Sequence, residues 1–411
     1  MNTRRLLPRL IGIACVLWLL VGCSLPAPAP TAVPRTVAAT PTAPTPTAAP
    51  ADEPRTDGLS DEQVATLSSL EQLDDHPLYT MRYYGAYQER VVFAEGVQEW
   101  MAASAPAPGV TALPCGILPS AVLWSDCGLI PHGSPPAWAC SLFAALGEAD
   151  NMLYGRNFDW EYSPALFLFT DPPDGYASVS MVDIAYFGFG EARAHGLTDL
   201  PLGERRALLN APLLPFDGMN EHGLAVGMAA VPPGQMRSDP GKETIGSLMA
   251  IRQMLDQARN VDEAVAILES YNIDMGGGPP VHYLMADPSG RAVLVEFYQG
   301  EMVVIPNETP WHQATNFLRA SAGESAAGRC WRYDRVSERL TEAEGQIPAQ
   351  GAMGLLAEVA QGSTQWSVVY GMSNGEVDVV MGRQYDEVFT FRPDGSRSTA
   401  LEPPAQVRFV E

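Results

Sequence analysis

Past residue 140 the chain alternates short apolar runs with turn chemistry. Ser141 to Leu146 is apolar, Gly147 to Asn151 supplies a turn, and Met152 to Gly155 is a second run, so a hairpin opens with Cys140. Three more runs, Val281 to Ala286, Ala292 to Tyr298 and Met302 to Ile305, are split by turns at Asp287–Gly290 and Gln299-Gly300 and predict three consecutive strands. Asn374-Gly375 between Trp366–Tyr370 and Val377–Met381 is a strong hairpin signal. Helical spacing covers Ile245 to Ala258, Val261 to Tyr271, Tyr333 to Leu340 and Met353 to Gln361. Asn260 is the predicted N-cap of the second, with Glu263 reaching back as in a capping box. Upstream, Asp61 to Leu73 and Tyr87 to Met101 carry apolar residues at helical spacing, and 105–138 reads as a Pro- and Gly-rich loop. Strands and helices cluster separately, which predicts a layered α+β fold rather than a βαβ repeat.

The first residues break this pattern. Arg4, Arg5 and Arg9 precede an apolar run from Leu10 to Val21, which is shorter than the roughly 20 residues a membrane span needs. The run ends in Leu20-Val21-Gly22-Cys23, which resembles the bacterial lipobox, so residues 1–22 are expected to leave as a signal and Cys23 to carry lipid. Residues 24–50 hold 8 Pro, 8 Ala and 6 Thr, a composition with nothing to bury. We read 23–52 as a tether and place the protein outside the cytoplasm, held to a membrane by its lipid alone. A net charge of −23 argues against nucleic-acid binding and polybasic docking on anionic lipid, while 46% apolar residues provide a sizeable core.

Six cysteines remain to be placed. Cys15 leaves with the signal and Cys23 takes the lipid. Cys115 and Cys127, twelve apart in an oxidising compartment, are expected to form a disulfide, and Cys330 is expected to be a core thiol. No CxxC pair and no HExxH occurs, so nothing points to a metal or another cofactor. Cys140 differs, because sixteen residues after it stands Arg156-Asn157-Phe158-Asp159-Trp160.

A cysteine opening a strand, followed one hairpin later by Gly-Arg-Asn-x-Asp, resembles the choloylglycine hydrolase family. That family includes bile-salt hydrolases, penicillin V acylases, and acid-ceramidase-like and acyl-CoA:6-aminopenicillanate acyltransferase-like enzymes. Asp217-Gly-Met-Asn-Glu-His-Gly-Leu224 is similar to its Met-Asn-Glu-x-Gly-Leu segment, and His282 to Gly290 to its central hairpin. Thr315-Asn316-Phe317 is similar to its Thr-Asn motif, Arg329 to its distal arginine, and Thr364-Gln-Trp-Ser367 to its final strand. Where bile-salt hydrolases carry Asn-Phe-Pro, this chain has Ala230-Val231-Pro232, so only a backbone donor carries over there.

The resemblance implies a four-layer αββα sandwich with two antiparallel sheets and an N-terminal nucleophile. On that reading the bond between Ala139 and Cys140 is cut by the protein itself. A helical pro-segment (53–139) then precedes a catalytic domain (140–411), and the two can remain together as an α/β heterodimer. The freed amine of Cys140, with a pKa near 8, is the base for its own thiol. Arg156 favours the thiolate, Asp159 orients the α-ammonium, and Arg329 supports the nucleophile's surroundings. The oxyanion is held by the Asn316 amide, with Asn307 as its competitor, and by the backbone at Ala230. The implied reaction is hydrolysis of a small linear N-acyl amide through a thioester. Acyl transfer to an amine and a catalytically dead binding protein are the alternatives. Phe143, Trp160, Tyr162, Phe167 and Phe169 hint at a hydrophobic acyl group.

Overall fold

The computed structural model describes residues 58–87, 139–234, 236–275, 278–322, 326–392 and 395–400. Met1–Asp52 forms a separate unit, so the following concerns the unit from Glu53 onward. Cys23, Cys115 and Cys127, with the expected signal, tether and disulfide, lie outside the described residues, as does most of the helix expected over 87–101.

The unit opens with α1 (Asp61–Ser68), capped by Ser60 and Gln63 in a reciprocal box. The helix expected to run on to Leu73 stops there. β1 (Glu71–Asp74) and β2 (Leu78–Arg82) follow, divided by a turn in which Asp74 Oδ1 accepts the His76 N–H ahead of Pro77. The difference comes from tertiary pairing: β2 lies parallel to a strand 87 residues downstream, which no local pattern records.

The Cys140 hairpin forms as expected from β3 (Ala139–Ala145) and β4 (Leu153–Asp159). Next come β5 (Ala165–Thr170) and β6 (Ser178–Asp183). A stretch of 3-10 turns from Ile184 to Leu213 leads to β7 (Asp217–Asn220) and β8 (Ala225–Ala230). A short parallel ribbon of β9 (Glu243–Gly246) and β10 (Tyr271–Asp274) encloses α2 (Ser247–Gln257) and α3 (Val261–Ser270). At α3 the Asn260 cap forms, but the Glu263 carboxylate accepts the Arg259 N–H instead of that of Asn260. The three central strands are β11 (Val281–Ala286), β12 (Ala292–Tyr298) and β13 (Glu301–Pro306), followed by β14 (Trp311–Ala314). Helices α4 (Trp331–Glu342) and α5 (Ala349–Glu358) precede β15 (Thr364–Gly371), β16 (Val377–Met381), β17 (Val388–Phe391) and β18 (Arg397–Ala400).

The strands build two stacked sheets. One has nine strands in the order β1-β2-β5-β6-β7-β8-β11-β12-β13, and the other seven in the order β14-β3-β4-β15-β16-β17-β18. Every pair within them is antiparallel except β2 with β5, the pair the upstream segment makes. Helices α2 and α3 cover the nine-stranded sheet, and α4 and α5 cover the other, completing the αββα sandwich.

Strand alternation sorts the side chains between layers. Leu142, Tyr154 and Phe158 join the core between the sheets, while Phe143, Ala145 and Leu153 face Val336, Leu340 and Leu356 of the outer helices. The Tyr154 hydroxyl crosses the gap to donate to the Leu284 carbonyl at 3.0 Å. Residues upstream of 139 belong to the same core, through Leu67, Leu70, Leu78, Tyr79, Met81 and Tyr83.

Candidate active site

Cys140 is the second residue of β3, buried, with a free thiol. The β3–β4 register sets Cys140 opposite Phe158 and Leu142 opposite Arg156, so thiol and guanidinium share the face between the sheets. Arg156 Nη2 lies 3.7 Å from the sulfur. Its Nη1 donates to the Phe216 carbonyl at 2.9 Å and pairs with Asp217, which also accepts the Tyr370 hydroxyl. Burial opposes the charge on Arg156, but the Asp217 carboxylate and the sulfur outweigh it and raise its pKa. Asp217 therefore holds the cation that faces the Cys140 sulfur, a role its sequence motif did not reveal.

Burial pushes the Cys140 thiol above its usual range. The Arg156 charge pulls it back, the Asp159 carboxylate pushes it up, and hydrogen bonds from Arg156 and the Asp159 N–H favour the thiolate.

Asp159 closes β4 opposite Ala139, beside the Ala139–Cys140 bond. Its carboxylate accepts the Gln361 amide at 2.8 Å and the Thr364 hydroxyl at 2.5 Å, and lies 3.7 Å from Arg332 Nη1. Burial raises its pKa against these stabilising partners.

The distal arginine is a correction. Arg329 is exposed in the loop before α4, where its Nη2 donates to the Ala322 carbonyl at 3.2 Å. Arg332, the second residue of the helix and fully buried, reaches the site instead. Its Nη1 donates to the Cys140 carbonyl and, at 2.9 Å, to Ser141 Oγ, while Nη2 donates to Asn316 Oδ1 at 2.8 Å. The helical phase decides the matter, since Arg332 shares its face with buried Val336 and Leu340.

Asn316 bridges the two sheets. Its Oδ1 accepts the Cys140 N–H at 2.8 Å on one sheet, and its Nδ2 donates to the Ala230 carbonyl at 2.8 Å on the other. The Val231 N–H donates to Pro280, so strand alternation turns the Ala230 N–H to the edge that also carries the carbonyl Asn316 touches. Asn307 lies elsewhere. It ties the end of β13 by accepting the Ala292 N–H and donating to Gly290 and Thr309 carbonyls.

Two other expectations change. Cys330, expected as a plain core thiol, is disulfide-bonded. Phe143, one of the aromatics hinting at an acyl pocket, packs under the outer helices on the face away from Cys140. Phe167 is buried and stacks on Phe391, whereas Tyr162 is exposed and Trp160 lies along Phe158, the residue paired with Cys140. Among the described residues, no group of His, Cys, Asp and Glu has the arrangement of a metal site, and no helix is long and apolar enough to cross a membrane.

Residues 140–319 match the sequence model of the linear amide C-N hydrolases, choloylglycine hydrolase family. Among solved structures, the penicillin V acylase of Agrobacterium tumefaciens is 16% identical, with a TM-score of 0.44 over 63% of this chain and 90% of that one. A conjugated bile acid hydrolase of Clostridium perfringens is 16% identical, with a TM-score of 0.45 over 63% of this chain and 96% of that one. The N-acylethanolamine-hydrolyzing acid amidase ortholog of Caenorhabditis elegans is 14% identical, with a TM-score of 0.39 over 57% of this chain and 93% of that one.

Proposed function

We propose, from the match of residues 140–319 to the linear amide C-N hydrolases, choloylglycine hydrolase family, that the chain is an extracytoplasmic, lipid-anchored amidase that cuts its own chain before Cys140 and then hydrolyses a linear N-acyl amide. The observation that carries this reading is the convergence on Cys140: Arg156 at its sulfur, Asn316 at its N–H and Arg332 at its carbonyl.

In the first reaction the Cys140 sulfur attacks the Ala139 carbonyl carbon, the C–N bond breaks, and the thiol proton passes to the departing Cys140 nitrogen. The acyl chain moves to sulfur as a thioester, which water hydrolyses to an Ala139 carboxylate and a free Cys140 thiol and amine. That amine then takes the thiol proton, a step unavailable while it is tied in a peptide bond. The thiolate attacks the substrate carbonyl beside Arg156. The oxyanion accepts from Asn316 Nδ2 and the Ala230 N–H. The Cys140 ammonium returns its proton to the departing amine, and water frees the acid from the thioester. Asp159 and Arg332 hold the two ends of the cut site in register. The test is the intact mass of the mature protein, which should show a chain beginning at Cys140, followed by a screen of N-acyl amides. An uncut chain in an active preparation overturns the self-cleavage step.

The segment upstream of the cut is built to stay. It supplies β1 and β2 to the nine-stranded sheet and six side chains to the core. A second tie is covalent. Cys330 is disulfide-bonded and Cys140 is free, and the other four cysteines of the sequence all precede residue 140. We infer that the Cys330 bond spans the cut. The mature protein should run as one species on a denaturing gel without reductant and as two with it. Two free chains without reductant would remove the covalent tie, leaving strand pairing alone to hold the anchor to the enzyme.

A further inference from the structure

β12 reads Ala292, Val293, Leu294, Val295, all buried, and then places a carboxylate, Glu296, equally out of water. A buried carboxylate is costly unless its oxygens are engaged. His282 of β11 sets Nδ1 3.0 Å from its Oε1. The remaining partners are two backbone N–H groups, those of Arg319 on Oε1 at 2.8 Å and Ala320 on Oε2 at 2.7 Å. They open a single 3-10 turn, Arg319–Ser321, whose own N-cap residue, Leu318, offers no side-chain acceptor.

That turn ends the loop carrying Asn316. The loop leaves β14, whose Ala314 is paired with Leu142 of the nucleophile's strand, and must cross to the nine-stranded sheet. Asn316 sits in the crossing with its amide stretched between Cys140 and Ala230. One end of the loop is fixed by strand pairing and the other by Glu296. We propose that Glu296, steadied by His282, is a positioning residue for the oxyanion donor: it clamps the backbone three and four residues beyond Asn316 and so sets the direction of Nδ2. This rests on Asn316 acting as that donor in the amidase reading above.

Glu296→Gln keeps the shape and one acceptor, and Glu296→Ala removes both. With a chromogenic N-acyl amide, kcat should fall about tenfold in the first and about a hundredfold in the second, the scale of a displaced oxyanion donor. KM should stay within about twofold, and thiol labelling of Cys140 should keep its rate. The distinguishing readout is the double variant. In an Asn316→Ala background, Glu296→Ala should cost less than about twofold more, because the group it positions is already gone. Full kcat in Glu296→Ala, or an undiminished fall in the Asn316→Ala background, overturns the positioning role while leaving the amidase intact. Should Glu296→Ala fail to fold, Glu296→Gln and its double variant decide in the same way. A wild-type protein without turnover overturns the amidase reading, and this inference with it.

Discussion

Cys140→Ala should yield a single uncut chain with no turnover. The variant removes the sulfur that attacks both the Ala139 carbonyl and the substrate, so both reactions stop together. Folding should survive: the side chain is small, and losing one buried sulfur costs on the order of 1 kcal/mol, against the several a domain of this size has in hand. Cys140→Ser separates the two reactions further. A hydroxyl has a far higher pKa and attacks amides poorly, so cleavage should slow and turnover should fall by several orders of magnitude. Intact mass reads the first reaction and amide hydrolysis the second. A cleaved or active Cys140→Ala protein removes Cys140 as the nucleophile of that reaction.

Much of this site was legible because its signals are local. The Cys140 hairpin, the Arg156 to Asp159 spacing and the Asn374-Gly375 turn are written within a few residues, and strand alternation alone sets Cys140 and Arg156 on one face. What escaped was set at a distance. Asp61 to Leu73 has helical spacing, yet from Glu71 on it is strand, because β2 finds β5 and the turn before Pro77 ends any helix. The bond at Cys330 is a fact its local sequence does not disclose. The Asp217 role was hidden in the same way, since it arises only where β7 of one sheet meets β4 of the other. Arg329 was a different kind of error, because the signal that corrects it was present. Arg332, Val336 and Leu340 recur every four residues on the buried stripe of α4, while Arg335 is on the charged side with Glu338.

That phase leads to a sharp contrast between two arginines three residues apart. Arg332→Ala should lower turnover about a hundredfold to a thousandfold and destabilise the protein by about 3–5 kcal/mol. Its loss leaves the buried Asp159 carboxylate without its nearest cation and takes one donor from the Cys140 carbonyl and one from Asn316 Oδ1. Arg332→Lys separates charge from geometry. An ammonium keeps the cation near Asp159 but cannot send one nitrogen to Cys140 and Ser141 and another to Asn316, so stability should recover more than turnover does. Arg329→Ala, at an exposed position, should change stability by no more than about 0.5 kcal/mol and leave turnover near wild type. Thermal melts and kcat for the three variants give the comparison. If Arg329→Ala is the damaging one, the assignment of the distal arginine to α4 is wrong. If Arg332→Lys restores turnover in full, charge alone does the work, and the forked contact with Cys140 and Asn316 is incidental to catalysis.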